Sequence, residues 1–241
     1  MSLDSNNCRA DGSEFSKAVW LVLPLALTIF VVVAYLVLEF KTFDYWFQRE
    51  QGFVELATPA LLIVAIFYGV QMLKFTKFLP ATWLKIWMVL VTLSCVYFAG
   101  EELSWGQQLL GWDTPEEIKT LNDQDETNIH NMSSWFDQKP RMLLELWVII
   151  GGIFVAGWRK WKKEIYQDNA WQFWFWPGFA CFPSAVLAEL AKLPKRVKNL
   201  LEIIPNFPEI RYNELQELMF AAFLLCYLAS NYKRLKILGN K

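Results

Sequence analysis

Residues 18–38 read AVWLVLPLALTIFVVVAYLVL, 21 consecutive positions without a charge. As a helix rising 1.5 Å per residue this run is about 30 Å long, the thickness of a bilayer's hydrocarbon core. It exceeds the apolar stretch of a signal peptide, and no small-residue cleavage site follows it, so it reads as a retained span. Pro24 falls near its start, where a membrane helix tolerates proline.

Working outward, residues 1–17 form a polar tail and residues 18–241 a single transmembrane helical domain. Residues 41–51 mix Phe43, Tyr45, Trp46 and Phe47 with charges, the composition of a helix lying among headgroups. Further spans are expected at 53–73, 83–100, 142–158, 171–190 and 215–232, with the fifth interrupted by Pro177 and Pro183. The fold class is therefore all-α: a polytopic bundle of about six spans with interfacial helices and a structured acidic loop over residues 101–140. Thr114-Pro115-Glu116-Glu117 has the residues of a helix start inside that loop.

Composition agrees with a lipid environment. The 241-residue chain is 55% hydrophobic and 17% aromatic, too apolar for an ordinary soluble domain. A net charge of −1 argues against a nucleic-acid partner; the lipid bilayer is the expected one. Cys95, Cys181 and Cys226 lie in apolar runs and read as buried thiols rather than a disulfide framework. Lysine and arginine favour the side holding both termini, which the positive-inside rule assigns to the cytoplasm. In a serpentine of six spans, Glu39, Glu55, Glu101, Glu102, Glu145, Glu189, Glu214 and Glu217 all fall at the opposite face. Glu214 and Glu217 also suit the positive end of a helix, while Glu145 and Glu189 lie inside the apolar boundary, where ionisable groups are costly and suggest function. Arg141 stands four residues before Glu145 and is expected to pair with it.

Two stretches could carry chemistry. Phe98-Ala-Gly-Glu101-Glu102-Leu-Ser104-Trp105-Gly106-Gln107-Gln108 leaves the third span. A helix continued through it would set Ser94, Tyr97, Glu101, Ser104, Trp105 and Gln108 along one stripe. Adjacent carboxylates shielded from water suit general acid and base work, or form a solvated helix end. The second stretch, Glu126-Thr-Asn128-Ile-His130-Asn131, holds the only histidine. Glu126 and His130 meet on one helical face, as two metal ligands, as an oriented general base, or as a pair that only steadies a helix. With so few nitrogen and sulfur donors, a divalent cation that prefers oxygen suits Glu101, Glu102, Glu126 and His130 better than zinc does. Asn128, Asn131 and Gln108 could position a substrate or cap helices, and Trp105 could stack on a headgroup or anchor the boundary.

The pairing of EELSWGQ with ETNIHN resembles a pattern in bacterial polytopic membrane proteins of unassigned function. That resemblance implies a multi-pass protein of a bacterial inner membrane. Glu101-Glu102 also resembles the paired glutamates of CAAX-type intramembrane prenyl endopeptidases, and implies Glu101, Glu102 and His130 as water-activating groups. This chain departs from that pattern at Trp105 and Gly106, near the expected arginine, and in having one histidine where the family uses two. The resulting expectation is a hydrolase or transferase acting on a lipid-linked substrate at the carboxylate face. The alternatives are a transporter, channel or ion-coupled subunit using intramembrane glutamates, and a structural protein whose acidic loop docks a partner.

Overall fold

A computed structural model of the chain describes residues 16–49, 52–110, 134–164, 166–201 and 211–240. The described residues are helical, with no strand among them. Helix α1 spans Ala18–Val37. A short helix α2, Phe40–Phe43, widens through Asp44–Gln48. Helices α3, Phe53–Leu73, and α4, Thr82–Glu102, follow. Helix α5 enters as Ser134–Trp147, opens into π turns over Val148–Val155 and ends as Ala156–Lys162. A five-residue α6, Trp171–Phe175, precedes α7, Phe182–Leu201, and α8, Tyr212–Gly239.

Among the described residues, four helices are long and apolar enough to cross a membrane: α1, α3, α4 and the 139–162 stretch of α5. Their flanks expose Ile29, Leu36, Phe67, Ile86, Leu93 and Phe154, side chains that suit lipid rather than water. The expectation of six spans is not carried beyond these four. The fifth run divides instead of forming one helix over 171–190. Pro177 has no N–H to continue a helix and forces extended backbone on Trp176, so α6 stops and α7 starts only at Phe182. Beyond Leu190, α7 then carries Lys192, Lys195 and Arg196. In the first half of α8, Glu214, Gln216 and Glu217 dilute the apolar run.

Side-chain contacts give each helix its direction. Glu55 meets Arg211 at the starts of α3 and α8, while Phe75 packs on Tyr232 near their ends, so these two run parallel. Arg141 reaches Glu217, giving α5 the same direction. Helix α4 runs opposite, with Trp83 against α6 and Glu102 beside α8. The ends of α4 and the starts of α3, α5 and α8 thus share one end of the bundle, as the alternating threading expects.

Helix α8 is the axis. Its apolar stretch from Leu218 to Ala229 is buried, and α3, α4, α7 and α1 all pack on it. Around Tyr227 the rings of Trp87, Trp147, Phe175 and Phe223 meet edge-on or tilted. The Tyr227 hydroxyl accepts from Trp87 Nε1 at 2.8 Å and donates to the Trp174 carbonyl at 2.8 Å, where α6 ends. A buried tyrosine is thereby satisfied at both valences. Close helix approach relies on missing side chains, as is usual in lipid. A Cβ on Gly152 would lie 2.6 Å from the Phe223 ring, and one on Gly69 would lie 2.5 Å from Thr92 Oγ1. Cys95, Cys181 and Cys226 are buried, as expected.

Candidate functional site

Helix α4 stops at Glu102 rather than continuing as a polar stripe. Ser104, Trp105 and Gly106 take φ values of 45°, 54° and 97°, three left-handed residues in succession that turn the chain off the helix axis. Left-handed backbone costs about 1–2 kcal/mol at a residue with a side chain. The turn folds the Trp105 indole back onto the helix it has left. The ring lies against Gly100, where a Cβ would sit 2.9 Å from it, and its N–H donates to Glu101 Oε1 at 2.7 Å. Glu101 is consequently 5% exposed.

The neighbouring glutamate has different company. Glu102 comes together with Glu214 and Glu217 of α8, each offering a carboxylate oxygen within 4.8 Å of the others. Glu214 and Glu217, three residues apart on α8, share one of its faces. Arg141 supplies positive charge: Nη1 is 2.6 Å from Glu217 Oε1, and Nη2 donates to Asn213 O and Gln216 Oε1, both at 3.3 Å. Glu55 holds Arg211 at 3.3 Å nearby. The adjacent glutamates of the sequence are therefore divided between a tryptophan-bound carboxylate and a three-carboxylate group.

A second charged group lies farther into the bundle. Glu145 receives Lys192 at 2.9 Å and also Arg196, whose other nitrogen is 2.7 Å from Glu189. The expected Arg141–Glu145 pair is thus replaced, because α8 and α7 bring closer partners to each. Two carboxylates set against two cations explain how Glu145 and Glu189 are accommodated beside apolar surface.

Glu126, Asn128, His130 and Asn131 lie outside the described residues, as do Asn122, Asp123, Gln124 and the helix start at Thr114. Gln108 belongs to the short helical turn Gln107–Leu110, and its side chain also lies outside the description. Among the expected site residues, then, Glu101, Glu102 and Trp105 are placed at one end of the bundle. Sequence reasoning missed Gln216 and gave Glu214, Glu217 and Arg141 other roles. The sequence places these two glutamates on the carboxylate-rich face and suits them to a positive helix end, and their spacing of three is the sign that they share one side of a helix.

No protein-family model matches the chain, and neither the curated proteins nor the solved structures include a significant match.

Proposed function

We propose that this is a membrane-embedded hydrolase or transferase acting on a lipid-linked substrate where the helices meet the headgroups. Glu102 acts as general base or cation ligand. His130, oriented by Glu126, exchanges the proton with the substrate. Asn128, Asn131 and Gln108 hold the substrate's polar atoms, while Trp105 covers the site and positions Glu101. Lysine and arginine distribution favours both termini in the cytoplasm of a bacterial cell, with this centre on the far side of the inner membrane.

The supporting observation is the convergence of Glu102, Glu214 and Glu217 beside Arg141 at a bundle end. Such a group can bind and polarise an oxygen-rich headgroup that reaches it from the lipid. The carrier alternative, with Glu101, Glu145 and Glu189 as its ion sites, loses support because Glu145 and Glu189 already share Lys192 and Arg196 and Glu101 accepts from the Trp105 indole.

The test is mass spectrometry of lipid extracts from cells with the gene intact, deleted, or carrying Glu102→Gln or His130→Ala at matched expression. Both variants should reproduce the lipid-linked species that accumulates in the deletion. Wild-type lipid profiles in both variants would refute the proposal.

A further inference from the structure

We propose that the end of α5 is a docking surface for the headgroups of anionic phospholipids, attracted there by Lys160, Lys162 and Lys163. This surface lies at the end of the bundle remote from Glu102, since α5 starts beside Glu217 and runs away from it. A lipid contact of this kind is independent of any chemistry at the carboxylate end.

The outer side of α5 changes in character along its length. Ile150, Phe154, Trp158 and Trp161 follow one another at steps of four, four and three, the spacing of one helix side, and all four are exposed. They belong to a helix long and apolar enough to cross a membrane. Aliphatic, then phenyl, then indole is the order that suits a path from acyl chains to headgroups, because an indole joins an apolar body to a polar N–H. Trp158 and Trp161 are 54% and 70% exposed and meet edge-on at 5.3 Å. Lys162 Nζ lies 4.4 Å from the centre of the Trp161 ring and 5.1 Å from that of Trp158. Cation–π attraction thus holds this ammonium over the two indoles, at headgroup depth.

Charge selects the lipid. Arg159 turns inward, 4% exposed and stacked on the Tyr166 ring at 4.0 Å. Lys163 ends the helix in the left-handed conformation, its N–H on the Lys160 carbonyl at 3.3 Å. Lys160 lies over the Phe179 ring at 5.3 Å. All three lysines are exposed, and among the described residues none of them forms an ion pair with a carboxylate. Lys192 and Arg196 differ in this respect, being held by Glu145 and Glu189. Glu164 is the one acidic residue directly after the lysines, so this corner carries excess positive charge. A zwitterionic headgroup leaves that excess unanswered, whereas a headgroup with net negative charge offsets it. Lysines just beyond a membrane span favour anionic lipid by a factor of about five each.

The test uses the full chain in nanodiscs of equal parts phosphatidylglycerol and phosphatidylcholine with matched acyl chains. Phe154→p-benzoylphenylalanine keeps a ring on the exposed stripe and captures neighbouring lipid on illumination, and the mass of the adduct reports which headgroup was taken. The same photoreactive residue at Leu93, exposed midway along α4, records the lipid elsewhere around the bundle. With the native lysines, adducts at 154 should be enriched at least about threefold in phosphatidylglycerol, and those at 93 should match the disc. Lys160→Gln, Lys162→Gln and Lys163→Gln together should bring the ratio at 154 to that at 93, and Lys162→Gln alone should remove part of the gain. Arginine at the same three positions retains the charge and should retain the enrichment, which separates lost charge from lost fold; melting curves check the glutamine variant. About 1 M salt, which shortens the Debye length to about 3 Å, should erase the preference. Equal capture of both lipids with the native lysines, enrichment unchanged in the folded glutamine variant, or enrichment that persists at high salt overturns the proposal.

Discussion

Gly69→Ala tests how tightly α3 and α4 are locked, and with them the position of Glu102. A Cβ at residue 69 would lie 2.5 Å from Thr92 Oγ1, 2.7 Å from Cγ2 and 3.1 Å from Cβ. Because the Thr92 Cβ is itself close, no rotation of that side chain clears the space; its hydroxyl is also bonded to the Met88 carbonyl at 2.8 Å. The helices must separate, and overpacking of this kind costs about 1–3 kcal/mol. For a chain of this size each kcal/mol moves Tm by about 2–4 °C, so Gly69→Ala should lower Tm by about 2–12 °C in detergent. Adding Thr92→Ala removes both nearest atoms and should restore part of the loss, with a coupling of about 0.5–3 kcal/mol in the double-mutant cycle. An unchanged Tm for Gly69→Ala, or strictly additive effects of the two substitutions, would refute the packing argument.

Other perturbations give distinct readouts. Tyr227→Phe strands Trp87 Nε1 and the Trp174 carbonyl, and should cost about 1–3 kcal/mol in thermal unfolding, with part of the loss recovered by Trp87→Phe. Glu145→Gln weakens the hold on Lys192 and Arg196 and should destabilise by about 1–3 kcal/mol, less than the about 3–5 of a fully buried pair, while leaving the lipid profile unchanged. A carrier-type role for Glu145 would instead appear as lost flux in proteoliposomes. Gly100→Ala should displace the Trp105 ring and weaken its bond to Glu101, so its effect on Tm should overlap that of Trp105→Phe rather than add to it.

The membrane helices were legible where the apolar run is unbroken and its boundaries are polar: α3 occupies 53–73, and α1 and α4 end within two residues of the expected limits. Residues 171–190 misled because aromatic residues there resemble a span, whereas Pro177 breaks the helix and charges farther on are tolerated through partners on α5. Pairing followed the same pattern. Arg141 and Glu145 are neighbours on a lone helix, yet tertiary contacts offered each a better partner. The meeting of Glu102 with Glu214 and Glu217 depends on α4 and α8, elements far apart in the chain, and no local spacing encodes it. The reversal at Trp105 was hidden too, since two of its three left-handed residues are not glycine.

The central position of α8 has a consequence for biosynthesis. This helix follows in the chain every helix that packs on it, so during translation α1, α3 and α4 emerge before the surface they enclose exists. Closure of the interior must await the ribosome's delivery of Leu218 to Leu235, and a nascent chain stalled before that point has lipid-inserted segments but no shared centre.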